Sequence, residues 1–174
     1  VTEIADYSRL IWSLMGDRYC PVDGSPIVQR TLDDCIEQLF EEAKGKRAIL
    51  LAHYLTAKPS VLREEIPRLR QKGFQRVRIN GEIQDIDDPG LLASGREPVS
   101  VDIVVDRIVV RDDQRSRIAD SMELAMREGK NRCVALCEEE RANGKWREII
   151  LSQHLASTKT GIVYSKLTPK SFSW

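Results

Sequence analysis

Apolar residues recur along this chain with two periods, and the switches between them predict its elements. Ile4, Tyr7, Leu10, Ile11 and Leu14 stand at three- and four-residue spacing, which predicts a helix over 2–15 ended by Gly16. Leu32, Cys35, Ile36, Leu39, Phe40 and Ala43 form a second stripe over 31–44. There Thr31 is the expected cap, Asp33 and Asp34 sit at the positive end of the helix dipole, and Gly45 is the stop. A third helix is expected over 60–72, turning Leu62, Ile66 and Leu69 inward and ending at Gly73. Pro67 lacks a backbone donor and predicts a kink or a late start there. A fourth helix follows Asp112-Asp113 and runs to Arg127, with Ile118, Met122 and Ala125 inward and Gly129 as its stop.

Between these helices the period drops to two. Residues 46–55 read as a buried strand around Ala48-Ile49-Leu50-Leu51-Ala52. Residues 74–80 and 82–86 read as a hairpin turning at Asn80-Gly81, a pair suited to a tight two-residue turn. A long strand over 100–111 follows the polar link 87–98, which carries Gly90 and Gly95. Two more strands, 132–138 and 146–155, are expected to join through Asn143-Gly144. The turn-rich stretch 19–26 marks a boundary, and 157–174 shows no period. The pattern predicts an α+β fold, a mixed or antiparallel sheet with helices packed against it. Alternation puts Arg76 and Arg78 on one side of their strand and Val77 and Ile79 on the other. The expected result is a sheet with one buried face and one face carrying Arg76, Arg78, Arg107 and Arg111.

Charge changes this picture only locally. The 174 residues carry 27 basic and 27 acidic side chains, so no whole-molecule basic field draws the chain to nucleic acid. Cys20, Cys35, Cys133 and Cys137 form no Cys-x-x-Cys pair, no secretory signal precedes them, and no apolar run is long enough to span a membrane. Buried free thiols in a cytoplasmic protein are the expectation, rather than disulfides. The chain opens at Val1 rather than Met and reads as a piece of something larger.

Candidate chemistry is sparse. Neither GxxxxGK[ST] nor GxGxxG occurs, so this fragment is not expected to be an enzyme acting on nucleotides. His53 and His154 lie in strand-like runs, where structural roles are expected, and no nucleophile–base pair is evident. Cys20-Pro21-Val22-Asp23-Gly24 resembles half a zinc knuckle whose second ligand has become Asp, and no partner pair of cysteines follows. Asp87-Asp88 and Asp112-Asp113 suit a turn and a helix start. The run Glu138-Glu139-Glu140-Arg141 suits a solvated hairpin end. The arginines admit three readings. They are a solvated sheet face paired to Glu82, Asp102 or Asp106; a face for an acidic protein partner; or a grip on DNA phosphates, which the interspersed Glu82, Asp85, Asp102 and Asp106 argue against.

Several segments together resemble the UvrA family, damage-sensing ATPases of bacterial nucleotide excision repair. They are Val1-Thr2-Glu3-Ile4-Ala5-Asp6-Tyr7-Ser8-Arg9-Leu10, Tyr19-Cys20-Pro21, the run from Gln71 to Ile79, Val101-Asp102-Ile103-Val104-Val105-Asp106-Arg107, Arg117-Ile118-Ala119-Asp120-Ser121, and Leu167-Thr168-Pro169-Lys170-Ser171-Phe172-Ser173. The resemblance implies that residues 30–155 form a domain that binds UvrB. It further implies that 1–29 and 156–174 belong to the signature region joining that domain to the ATPase core. By motif it places partner-binding arginines at Arg76 and Arg107, to which strand geometry adds Arg78. It implies ATP, zinc, DNA and a homodimer for the full-length protein, and for this fragment a monomer without cofactor. The sequence departs from the family in three places. No Cys-x-x-Cys-Gly zinc element occurs over 156–164, Asn80 replaces the usual Asp of the turn, and Trp174 stands where Phe or a similar residue is usual.

Overall fold

The computed structural model describes residues 2–88, 98–139 and 146–172. The turn expected at Asn143-Gly144, most of the link through Gly90 and Gly95, Glu140-Arg141 and Trp174 lie outside them. The chain divides into two compact units, Thr31–Gln153 and a smaller one formed by the residues up to Arg30 and from His154 onward.

The smaller unit holds α1 (Thr2–Met15), β1 (Ile27–Gln29) and a late strand, β8 (Leu155–Ser157), paired antiparallel to β1. The α1 helix matches its stripe, yet Ile4, Tyr7, Ile11 and Leu14 on that stripe are more than half exposed. The period that forms the helix is local, whereas burial needs a partner surface.

The larger unit runs α2 (Leu32–Ala43), β2 (Arg47–Ala57), α3 (Pro59–Gln71), β3 (Arg76–Ile79), β4 (Glu82–Asp85), β5 (Val99–Val109), α4 (Arg115–Glu128), β6 (Arg132–Glu138) and β7 (Trp146–Ser152). The expected strand 146–155 is thus split: β7 stops at Ser152, and Leu155 starts β8 in the other unit. Its six strands lie in the order β4-β3-β5-β2-β6-β7, and every pairing is antiparallel. The fold is α+β.

Local chemistry explains the element ends. Thr31 caps α2 through a reciprocal box: Asp34 N–H donates to Thr31 Oγ1 at 3.1 Å, and Thr31 N–H donates to Asp34 Oδ2 at 2.7 Å. In α3 no late start occurs: the helix begins at Pro59, where a missing donor costs nothing, and carries Pro67 within it. The β3–β4 turn places Asn80 at φ 49° and Gly81 at φ 95°, the left-handed pair that a two-residue hairpin requires.

All three helices of this unit cover one sheet face. Leu39 and Phe40 of α2 and Ile118 and Met122 of α4 pack on Ala48, Leu50 and Ala52 of β2. Leu62 and Leu69 of α3 pack on Val77 and Ile103, and Ile103 stands opposite Ala52 in the β2–β5 ladder. Cys35, Cys133 and Cys137 are buried in the core under α2 and α4, and all four cysteines are free. Burial, with a smaller push from Cys35, raises the Cys133 thiol to about 12. Replacing Thr31 by Ala removes half of the capping box and should lower stability by about 1 kcal/mol, read as a lower urea midpoint at unchanged m-value.

Candidate functional site

The sheet face opposite α2, α3 and α4 is not simply solvated. Ile49, Leu51 and Leu136 are buried on it, with Ile83, Val104 and Val134 packed against them. Their burial comes from the curl of the sheet. Arg78 Nη1 of β3 meets Glu148 Oε1 of β7 at 2.5 Å, although β5, β2 and β6 lie between the two strands. Four ladder steps of about 4.8 Å would separate those strands by roughly 19 Å in a flat sheet, further than an Arg and a Glu side chain reach together. The face is therefore a trough, and the Arg78–Glu148 pair bridges it above the apolar strip.

Arg78 is fixed from a second side. Its Nη2 and Nε lie 2.7 and 2.8 Å from Asp102 Oδ2, and Asp102 Oδ1 lies 2.9 Å from His53 Nδ1. The Arg78 side chain is only 13% exposed. Burial works against its charge, but the bonds to Glu148 and Asp102 outweigh that and raise its pKa. Along the same face Arg47 pairs with Glu138, its Nε 2.7 Å from Oε2. Neither Glu148 nor Glu138 was an expected partner, because both pairings depend on how the strands assemble. Of the expected partners, Asp102 does pair with Arg78. Glu82 stands opposite Ile79, on the helix-covered side, and Arg111 lies beyond β5, paired with Asp113.

Arg76 and Arg107 behave differently. Both are exposed, and among the described residues neither guanidinium makes an ion pair. They line one groove of about 470 Å³, together with Phe74, Val104, Asp106 and Arg117. Arg107 reaches this side of the sheet because of an irregularity in β5. Leu51 stands opposite Val104 and Leu50 opposite Asp106, so Val105 is an extra residue with no counterpart on β2. Val105 packs against the helix-side core, and Asp106 follows it to that side. Its carboxylate accepts hydrogen bonds from Arg117 Nη2 at 2.8 Å, Ser121 Oγ at 2.7 Å and the Arg107 amide at 2.7 Å. Arg107, one residue on, stands opposite Ile49 on the open face. Burial pushes the Asp106 carboxyl upward, but the bonds from Arg117, Ser121 and the Arg107 amide outweigh it and hold it below its ordinary value.

The architecture defines a class first: an antiparallel sheet clad by helices on one side and curled on the other, with two exposed cations that make no ion pair among the described residues. Residues 30–139 match the family model described as the UvrA interaction domain, and the chain belongs to that family. Over its whole length it is 34% identical to the UvrABC system protein A of Deinococcus radiodurans. It is 36% identical to that of Methanothermobacter thermautotrophicus and 31% identical to that of Thermus thermophilus. The chain covers 17% of the first of these relatives and 18% of each of the other two.

The geometry separates the three sheet arginines by role. Arg78→Ala would leave Asp102 short of its main partner at the trough and should cost about 1–3 kcal/mol of stability. Arg76→Ala and Arg107→Ala should each change stability by no more than about 0.5 kcal/mol; denaturant unfolding of the three variants checks both statements. Asp106 has a depressed folded pKa, so its contribution is present above the unfolded value of about 4 and is lost as pH falls through the folded one. Asp106→Asn should therefore unfold with a shallower acid dependence than the parent chain, measured as midpoint against pH.

Proposed function

We propose that the open trough is a protein-docking face and that Arg76 and Arg107 pair with acidic side chains of UvrB. The observation that carries this reading is that these two guanidinium groups border one groove, exposed and unpaired among the described residues, while Arg78 and Arg47 beside them are spent on internal pairs. Arginine suits such a contact because its planar fork meets a carboxylate with two hydrogen bonds. The family is described as an interaction domain, and the relatives are named as component A of a UvrABC system, which makes the B component the natural partner. Arg78 then acts by holding the trough rather than by touching the partner.

In the same reading residues 30–155 are the docking module, and 1–29 and 156–174 join it to the ATPase core of a longer, cytoplasmic protein. That protein would be a homodimer that uses ATP and loads UvrB at damaged DNA. The fragment itself carries the docking step and no catalysis. No helix among the described residues is long and apolar enough to cross a membrane.

The test is calorimetric titration of the chain with UvrB. Losing one partner of a desolvated charge pair costs about 2–5 kcal/mol, so Arg76→Glu and Arg107→Glu should each weaken binding at least tenfold. Arg76→Glu and Arg107→Glu variants that bind UvrB like the parent would overturn the proposal. If the chain instead bound duplex DNA, with affinity falling steeply in salt and lost in the same variants, phosphate contacts would be the better reading.

A further inference from the structure

The smaller unit contains two turns of the same design. In Cys20-Pro21-Val22-Asp23-Gly24 the Gly24 amide donates to the Cys20 carbonyl at 2.8 Å, and Gly24 has φ +69°. In Ser157-Thr158-Lys159-Thr160-Gly161 the Gly161 amide donates to the Ser157 carbonyl at 3.0 Å, and Gly161 also has φ +69°. Each turn is a first residue, two spacers, a fourth residue and a left-handed glycine. The β1–β8 pairing sets Ile27 opposite Ser157 and brings the turns together. The first turn shows in the sequence as half a zinc knuckle, and the second falls in 156–164, where the Cys-x-x-Cys-Gly element expected from the family resemblance is missing.

Two facing turns that present their first and fourth side chains are the arrangement by which a pair of Cys-x-x-Cys knuckles holds a tetrahedral ion. The four positions here are Cys20, Asp23, Ser157 and Thr160. That donor set does not fit a structural zinc: it supplies one thiol, one carboxylate and two neutral alcohols, where such a site uses thiolates and imidazoles. The groups instead satisfy one another. Ser157 Oγ lies 2.7 Å from Ser25 Oγ and 3.3 Å from Asp23 Oδ2. It also accepts from the Lys159 amide at 3.2 Å, the Thr160 amide at 3.0 Å and Thr160 Oγ1 at 2.9 Å. Asp23 Oδ1 accepts from the Ser25 amide at 2.9 Å, and Cys20 Sγ is 3.0 Å from Tyr164 Oη. Ser157 and Cys20 are both buried, so a thiolate–metal core has a buried, hydrogen-bonded counterpart here. The bond from the Ser25 amide, then that from its hydroxyl, holds the Asp23 carboxyl far below its ordinary value, consistent with an ionised acceptor inside the cluster.

We infer that this is a metal-knuckle scaffold whose ion has been replaced by a hydrogen-bond cluster centred on Ser157, so that the unit folds without metal. The scaffold itself remains able to hold one once its ligands are restored. The parent chain, prepared with zinc and dialysed, should contain no bound metal, and chelator should leave its thermal unfolding unchanged. The triple variant Asp23→Cys, Ser157→Cys, Thr160→Cys should take up a single Co²⁺ per chain with the intense visible bands of tetrahedral thiolate coordination. Ser157→Ala in the parent should lower the midpoint of the transition reported by Trp12 fluorescence, the other two tryptophans being replaced by Phe. Zinc retained by the parent, or a chelator-induced loss of its stability, would overturn the inference. So would a folded triple variant without the tetrahedral spectrum, or a Ser157→Ala variant as stable as the parent.

Discussion

One extra residue in β5 decides which way the candidate site faces. Strict alternation from Asp102 and Val104 would send Asp106 to the open face and Arg107 under the helices. The unpaired Val105 reverses this: Asp106 turns in to α4, and Arg107 turns out beside Ile49. A bulge in a central strand costs ladder hydrogen bonds, and here the cost is offset by four bonds to the Asp106 carboxylate. The bonds from Arg117 and Ser121 tie the strand to the helix behind it. The direction of Arg107 is thus set by the register of the sheet core and does not depend on a loop.

The second constraint is that three helices clad only one side. A six-stranded sheet left open would expose its β2 and β6 side chains, and Leu51 in particular lies on the side away from α2, α3 and α4. Curling brings the two flanks of the sheet toward each other and closes a small second core of Ile49, Leu51 and Leu136. Arg78 lies across this core with its charge shared between Asp102 and Glu148. A buried guanidinium with one missing partner is costly, so the pairs that hold the trough also make its curvature specific. Strong twist and coiling of this kind is the usual way that a sheet escapes the exposed flat face.

What the sequence discloses follows from how local each cause is. The α2 cap, the Asn80-Gly81 turn and the four helix stripes are written in neighbouring residues, and they read out correctly. The bulge leaves a trace as well. The buried apolar residues fall on odd numbers at Val101 and Ile103 and on even numbers at Ile108 and, just past the end of β5, Val110, the phase slip that one extra residue between them produces. The expected single row of arginines nevertheless took no account of it. The Arg78–Glu148 bridge leaves no such trace, because it joins residues 70 positions apart through the curl of four intervening ladders. The exposed stripe of α1 fails for the complementary reason, since a period specifies a helix and says nothing of what covers it.

Charge pairing explains why two arginines of the face stand apart from the rest. A chain of zero net charge attracts an acidic partner only where its own acids are engaged elsewhere. Asp85 stands opposite Arg76 in the hairpin, but one of its carboxylate oxygens accepts from the Asp87 amide at the turn. Asp106 adjoins Arg107, but the bulge commits it to Arg117 and Ser121. Arg47 pairs with Glu138 on the neighbouring strand, and Arg78 with Asp102 on its neighbour and Glu148 across the trough, so both are neutralised within the domain. The acids nearest Arg76 and Arg107 are thus engaged by backbone and helix, and these two cations border their groove without an ion pair among the described residues.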